Sequence, residues 1–218
     1  MTATFIARVI ETTRARGREA AVVILSALAI ALWVLRARWH GGFATAYLIW
    51  NLALAWIPWL LGQVVARVRA RWVAVAVLPA WLAFFPNAPY LVTDLLHLEP
   101  RPPVPSWFDA LLYGAFALAG CALGWTSLAV VRERAAHELG TVRAEVALLV
   151  VAFLAGFGVY LGRFERWTSF DVWQHPAALL AGAVDALCPR AALFSAAFGL
   201  LVWAGYLMVA SGREPSAS

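Results

Sequence analysis

The feature that most constrains the fold of this 218-residue chain is a series of long apolar runs without charged side chains. Charged residues make up 13% of the sequence, whereas a soluble domain carries about 25%. A single core of ordinary size cannot bury a chain that is 63% hydrophobic. The sequence therefore predicts an all-α integral membrane bundle of about six transmembrane helices. The predicted spans are 20–35, 43–66, 72–98, 110–131, 146–162 and 191–210.

The third span is expected to be broken. Only 14 residues run from Trp72 to Phe85, and they reach about 21 Å of a hydrocarbon core that is roughly 30 Å thick. Pro86 then interrupts the helix, whereas Pro89 suits the first turn of a new one, where its missing N–H would have no partner. We therefore expect a short helix after the break to complete the crossing.

The distribution of arginine predicts the orientation of the bundle. All 17 basic residues are arginine, and six crossings place 11 of them on the side of the two termini. Because cytoplasmic loops carry the excess of basic residues, both termini are predicted to be cytoplasmic. Residues 1–19 and 211–218 would then be tails that flank one transmembrane domain, 20–210. The dispersed positive charge suits a lipid bilayer and does not indicate nucleic-acid binding.

The short helix after the break is predicted to be amphipathic. On an α-helix, four polar residues of this segment would share one face and three leucines the opposite face. The polar residues are Tyr90, Thr93, Asp94 and His97, and the leucines are Leu91, Leu95 and Leu98.

Two interpretations of this segment remain open. In the first it is an interfacial helix, capped by Asn87, on which Asp94 and His97 face water. In the second these residues lie at head-group depth, where ionisable side chains are usually partnered or functional. Asp94 and His97 could then share a proton or both bind a divalent metal. Two ligands do not define a metal site, and the sequence contains no HExxH motif.

A second polar segment, residues 162–176, follows the fifth span on the same side of the membrane. Arg163, Arg166 and Trp167 are typical of a belt at the head-group level. Alternatively, one of the arginines pairs with Asp94 or holds an anionic substrate through its planar guanidinium. The spacing does not choose between these interpretations.

Two short helices are expected beyond these arginines. Thr168 or Ser169 could cap the first, with Asp171 in its first turn. Apolar residues at helical spacing predict that 177–187 lies along the membrane interface as a lid or collar.

Two segments of the chain resemble the domain of unknown function 1361 (DUF1361) family of predicted bacterial multi-pass membrane proteins. The first is Pro86 to Leu98, in which Asn-Ala-Pro-Tyr is followed by Asp-x-x-His, and the second is Gly162 to Asp171. Where that family tends to show Arg-Trp-Asn-Ser-Trp-Asp, this chain has Thr168 and Phe170 in place of Asn and the second Trp. The resemblance implies a bacterial plasma (inner) membrane protein and no established activity. It implies signature residues at Asn87, Tyr90, Asp94, His97, Arg163, Arg166, Trp167 and Asp171.

Two hypotheses of function follow. The first is an enzyme that acts on an anionic lipid or envelope substrate at the bilayer surface, with an acid–base pair or a divalent metal at its centre. The second is a transporter-like or accessory membrane protein whose polar cluster binds a ligand or holds the bundle together without chemistry. In the first, the catalytic candidates are Asp94, His97 and Asp171, and the substrate-binding candidates are Asn87, Tyr90, Arg163, Arg166 and Trp167.

Overall fold

A computed structural model describes residues 2–40, 45–100 and 102–210, with side chains from residue 16 onward except that of His40. Every regular element in this part of the chain is a helix. The elements are α1 (Thr2–His40), α2 (Ala46–Arg67), α3 (Arg71–Phe84), α4 (Asn87–Tyr90), a 3-10 helix (Leu91–His97), α5 (Ser106–Leu139), α6 (Thr141–Phe164), α7 (Asp171–Gln174), α8 (Pro176–Asp185) and α9 (Pro189–Ala210).

Six stretches of the described chain are long and apolar enough to cross a membrane, and the predicted all-α membrane bundle is confirmed. They are Arg16–Trp39, Ala46–Arg67, Arg71–His97, Ser106–Leu139, Thr141–Phe164 and Pro189–Ala210.

Several helices extend beyond the apolar runs that predicted them. α5 is the clearest case, because it starts at Ser106 and ends at Leu139 rather than covering 110–131. Helical hydrogen bonding continues through polar residues once the chain leaves the hydrocarbon, so an apolar run marks only the middle of a helix. α1 likewise begins at Thr2, inside the predicted N-terminal tail. The predicted C-terminal tail, 211–218, lies outside the described residues.

α5 is the central helix of the bundle. It packs against α1, α2, α4, the 3-10 helix, α6 and α9. Its apolar residues Leu112, Phe116, Leu123 and Leu128 are fully buried. Side chains on several of its faces are therefore covered by protein, whereas the outer helices expose leucine and valine, as lipid-facing helices do.

The third span is interrupted between α3 and α4, as predicted. The Ala88 N–H donates to the Phe85 carbonyl at 3.2 Å instead of continuing the α-helical pattern. The side-chain amide of Asn87 donates to the Phe84 carbonyl at 2.9 Å. Asn87 thus satisfies a carbonyl at the end of α3, and the prediction that it caps the next helix is wrong, because no side-chain cap bond is formed there.

The segment after the break is a 3-10 helix from Leu91 to His97, not the predicted α-helix. With about three residues per turn, Leu91, Asp94 and His97 follow one another on the same face. The prediction that Leu91 lies opposite the polar residues is therefore wrong, and Leu91 is fully buried beside Asp94 in the protein. Leu95 and Leu98 are exposed, as a lipid-facing side requires.

Two glycines allow the interrupted segment to sit between α5 and α6. A side chain at Gly120 of α5 would overlap the Ala88 carbonyl oxygen, and one at Gly158 of α6 would overlap the Pro86 ring. This close approach brings the polar residues that follow Pro86 to the end of α6. The name site end is used below for the end of the bundle at which α1, α3 and α6 end. The other end is called the opposite end.

Candidate functional site

The two polar segments meet at the site end. Asp94 Oδ1 lies 3.7 Å from Arg163 Nη1, and the Asn87 amide donates to Ser169 Oγ at 2.8 Å. Residues 69 and 82 positions apart in the sequence are therefore in contact. We use the name Asp94 cluster for the residues of these two contacts together with Asn51: Asn51, Asn87, Asp94, Arg163 and Ser169.

Asp94 is buried at the centre of this cluster, with 2% of its surface exposed. Its Oδ2 accepts a hydrogen bond from the Asn51 amide at 2.9 Å, while Oδ1 faces Arg163. A carboxylate away from water needs such partners, because an unpaired charge there is strongly unfavourable. The interpretation that Asp94 faces water is therefore wrong, and of the two arginines considered as its partner, Arg163 is the one in contact.

Arg163 is held on one side and open on the other. Its side chain is 13% exposed, and its contact with Asp94 is longer than a hydrogen bond. A guanidinium carries several N–H donors in a planar fork, and within the described chain no other acceptor is recorded for those of Arg163. The arrangement leaves donors free for an anionic group from outside the bundle.

His97 lies at the surface of the cluster, exposed, whereas Asp94 lies inside. Its ring meets the ring of Tyr47 edge-on, with centroids 5.7 Å apart. The Tyr47 hydroxyl is 2.6 Å from the Tyr113 hydroxyl. No hydrogen bond between His97 and Asp94 is recorded in the described part of the chain, so the imidazole is accessible but is not aligned by that carboxylate.

The donor set for a divalent metal is small. Among the residues the structure describes, no three His, Cys, Asp or Glu side chains come together. A metal bound by Asp94 and His97 would need its remaining ligands from water or from a substrate.

Three further predicted residues lie around the cluster. The Tyr90 ring packs against Gly162, and Trp167 packs against Gly182 of α8, which ties the loop after α6 to that helix. Arg166 is exposed and has a left-handed backbone (φ 62°), a conformation typical of the residue that follows a helix end. Tyr90 and Trp167 thus shape the cluster, whereas Arg166 lies at its surface.

Asp171 uses its carboxylate within its own loop. Its Oδ2 accepts hydrogen bonds from the N–H and the hydroxyl of Thr168, both at 2.7 Å. These two bonds favour the charged form and lower the pKa of Asp171 below its ordinary value, the hydroxyl bond contributing most. The predicted cap is reversed, because Asp171 accepts from Thr168 and α7 has no side-chain cap bond. No contact of Asp171 with Asp94 or His97 is recorded in the described chain.

A second buried ion pair, absent from the predicted site, joins α1 to α5. Arg36 Nε and Nη2 bond Asp109 Oδ1 and Oδ2 at 2.5 and 3.1 Å, and the side chains are 1% and 2% exposed. The sequence pattern places Arg36 in the loop after the first span and predicts no role for Asp109. The available signal is that both charges stand at ends of apolar runs on the same side of the membrane.

The two ion pairs are connected through α2 and α5. On α2, Tyr47 and Asn51 are four residues apart and share a face, as Asp109 and Tyr113 do on α5. The contact between the two tyrosine hydroxyls therefore lies between the Arg36–Asp109 pair and the Asp94 cluster. Asn51 could have been noticed as a lone amide in a charge-free span.

Comparison with known proteins identifies a family without a described activity. No curated protein and no solved structure matches the chain. The profile of the family described as "Protein of unknown function (DUF1361)" matches residues 50–204. That range contains the whole Asp94 cluster and Asp109, but starts after Arg36 and Tyr47. Since the match covers more than half of the sequence, the chain belongs to the DUF1361 family.

Proposed function

We propose that the site end binds an anionic group of a lipid or envelope molecule at the membrane surface, and that Arg163 is its main contact. The observation that carries this proposal is the partial use of Arg163, which faces Asp94 on one side and has free donors on the other. Phosphate and carboxylate oxygens match the fork of a guanidinium, and hydrogen bonds between ions are the strong ones.

Each remaining residue of the cluster has a supporting role in this proposal. Asp94 and Asn51 position Arg163 from beneath. The bond between Asn87 and Ser169 ties the loop after α6 to the interrupted third span, so that the position of the guanidinium depends on both segments. Arg166, exposed three residues after Arg163, adds positive charge at the entrance.

The proposed setting is a bacterial inner membrane with both termini in the cytoplasm. In that orientation the site end faces the outer side, where envelope lipids and their precursors carry anionic head groups. The arginine excess on the side of the termini supports this orientation. A cytoplasmic reporter fused after Ser218 should be active, and activity only of a reporter that works outside the cytoplasm would invert the orientation.

The proposal is tested by titrating the detergent-purified protein with glycerol 1-phosphate, a soluble head-group mimic, in a calorimeter. Arg163→Gln should raise the Kd about ten- to a hundredfold, since hydrogen bonds to charged groups contribute about 1.5–3 kcal/mol. Arg163→Lys keeps the charge but loses the planar fork, and its Kd should lie between the two.

Arg38→Gln is the matched control, because it removes an exposed arginine of the same end. Its Kd should stay within about twofold of the wild-type value, the effect expected of a distant exposed charge. Equal losses in Arg163→Gln and Arg38→Gln would mean that only the general positive charge attracts the ligand, and an unchanged Kd in Arg163→Gln would exclude Arg163 as the contact.

A second candidate function, acid–base catalysis on the bound molecule, is favoured by the exposure of His97. Its imidazole is accessible, its ring contacts that of Tyr47, and it lies three residues after Asp94 at the same end of the bundle as Arg163, which supports a role as acid or base on the bound molecule. His97→Ala should then abolish a change in the lipid extract that wild-type protein produces in proteoliposomes of bacterial lipid, as followed by mass spectrometry, while glycerol 1-phosphate still binds. Identical extracts from wild type and variant would leave binding alone.

A further inference from the structure

An apolar cleft opens at the opposite end of the bundle, away from the Asp94 cluster. It has a volume of about 520 Å³, within the range of about 300–1,000 Å³ that small-molecule sites occupy. The main contact of α3 is with α2. On its other side, α3 is separated from α5 and α6 by the cleft. Its walls are almost entirely aliphatic and include Val75, Leu78 and Leu82 of α3, Val131 of α5, and Ala147 and Val151 of α6.

The length of the cleft matches one leaflet of a bilayer. It runs along α3 from Arg71 to Trp81, where the Trp81 indole N–H donates to Ser127 Oγ of α5 at 2.9 Å and joins the two helices. Ten residues of helix rise about 15 Å, which is half of a hydrocarbon core about 30 Å thick. The closed end therefore lies near mid-membrane when Arg71 lies at the head-group level.

The walls favour hydrocarbon as the occupant. Cavities lined by aliphatic side chains stay dry, because water finds no hydrogen-bond partners in them. A single acyl chain from the surrounding leaflet is apolar along its whole length, and its extent matches that of the cleft along α3.

The mouth of the cleft is positively charged. Arg71 and Arg134 share the single carboxylate of Glu138, at 3.4 and 3.0 Å. The Arg134 Nε is buried and has no acceptor in the described part of the chain, although Nη1 of the same side chain donates to the Val68 carbonyl. Two guanidiniums against one carboxylate leave net positive charge and unused N–H donors at head-group depth.

We propose that this cleft is a binding site for one anionic phospholipid of the adjoining leaflet, with an acyl chain between α3 and α6 and the phosphate at Arg71 and Arg134. Charge complementarity at the mouth selects the anionic head group, and the aliphatic walls select the chain. The site is independent of the proposed function at the site end, from which it is separated by about half the membrane.

Native mass spectrometry of the full-length protein released from detergent tests the proposal. The probes are dioleoyl phosphatidylglycerol and dioleoyl phosphatidylcholine, which have the same chains and differ in head-group charge. At a collision energy that removes all phosphatidylcholine, the wild-type protein should retain one phosphatidylglycerol more than variants in which the cleft is filled. Equal retention of the two lipids, or retention of neither, would overturn the proposal.

Two substitutions that fill the cleft should remove the retained lipid. Ala147→Trp places an indole in the cleft, and Val75→Trp does so from a position that is 57% exposed and tolerates size more readily. Val146→Trp is the matched control, because Val146 is exposed on α6 outside the cleft, and it should retain the lipid. Retention in Val75→Trp equal to that in Val146→Trp would show that the lipid binds elsewhere.

The head-group contact has its own variant. Arg71→Gln should lower the preference for phosphatidylglycerol at most about fivefold, the size expected for a well-exposed charge, since the Arg71 side chain is 70% exposed. Val75→Trp should leave the binding of glycerol 1-phosphate at the site end unchanged, which separates this site from the one at the site end. A different outcome would be a wild-type protein that is dimeric and retains no lipid, together with a monomeric Val75→Trp variant. That outcome would identify a second copy of the chain as the occupant of the cleft and would overturn the proposal.

Discussion

Two arginine–aspartate pairs at the site end differ in how fully each guanidinium is used. Arg36 bonds both carboxylate oxygens of Asp109, and both side chains are almost fully buried. Arg163 has one contact with Asp94, at 3.7 Å, and its side chain is 13% exposed. The same two residue types thus form a closed pair between α1 and α5 and an open pair between α6 and the third span. A closed pair can only hold helices together, whereas an open pair also has donors to offer a ligand.

The environment of each aspartate reinforces this difference. Both recorded side-chain hydrogen bonds of Asp109 come from Arg36, so the two charges depend on each other. Asp94 accepts from Asn51 as well, and this bond remains when the arginine is absent. The closed pair should therefore dominate stability, and the open pair should dominate binding.

The largest expected effect is on stability, through the closed pair. Asp109→Asn leaves the charge of Arg36 buried without its counter-charge, which should lower the free energy of unfolding by about 3–5 kcal/mol. Unfolding of the purified protein by SDS titration, followed by circular dichroism, measures this.

The double variant Arg36→Met/Asp109→Leu tests the same pair without leaving a charge behind. Replacement of a buried ion pair by apolar residues of similar size is often neutral or stabilising, so the double variant should recover most of the loss. A double variant as unstable as Asp109→Asn would mean that the pair does more than neutralise its own charges.

The corresponding change in the open pair should cost less. Asp94→Asn removes the counter-charge of Arg163, but the new amide oxygen can still accept from Asn51, and the guanidinium can reach the exterior. We expect the free energy of unfolding to fall by about 1–2 kcal/mol, the range for one lost partner of a buried polar group. A loss as large as that of Asp109→Asn, in the same SDS titration, would make the open pair structural.

The smallest effect concerns the loop after α6, the helix that carries Arg163 of the open pair. The pKa of Asp171 is lowered by its bonds from Thr168, so its contribution to loop stability is present above the unfolded pKa of about 3.9 and is lost as pH falls through the lower folded value. The Thr168 N–H should therefore be protected from hydrogen exchange at pH 5 and should lose that protection only at a pH below about 3.9.

Thr168→Val is the matched variant for this loop, because it keeps the shape of the side chain and removes the hydroxyl donor. The pKa of Asp171 should then lie closer to its ordinary value, and protection should be lost at a higher pH than in the wild type. Identical profiles would show that the hydroxyl bond does not hold the loop.

The spans and the break could be predicted because each has a local cause. Charge-free runs are set by the thickness of the hydrocarbon, and Pro86 removes an N–H wherever it stands. The presence of both polar segments at one end follows from counting crossings. Their direct contact through Asp94 and Arg163 does not, since it depends on glycines that let the interrupted segment approach α5 and α6.

The rest of the site depends on tertiary structure. The α-helical spacing of Tyr90 to His97 suggested one polar face, but the segment winds as a 3-10 helix, which aligns Leu91 with Asp94 instead. Arg36 and Asp109 look like ordinary charges at helix ends, and only the packing of α1 against α5 buries them. The helices extend beyond the apolar runs because an apolar run indicates only which residues lie in the hydrocarbon. Helical hydrogen bonding continues through the polar residues on either side.

The most direct test of the difference between the two pairs is one calorimetric titration of glycerol 1-phosphate into three proteins: the wild type, Arg163→Gln and Arg36→Met/Asp109→Leu. If Arg163 is the open contact, Arg163→Gln should bind about ten- to a hundredfold more weakly, while the double variant should bind like the wild type. Loss of binding in the double variant with unchanged binding in Arg163→Gln would contradict the assignment of the open pair as the anion site.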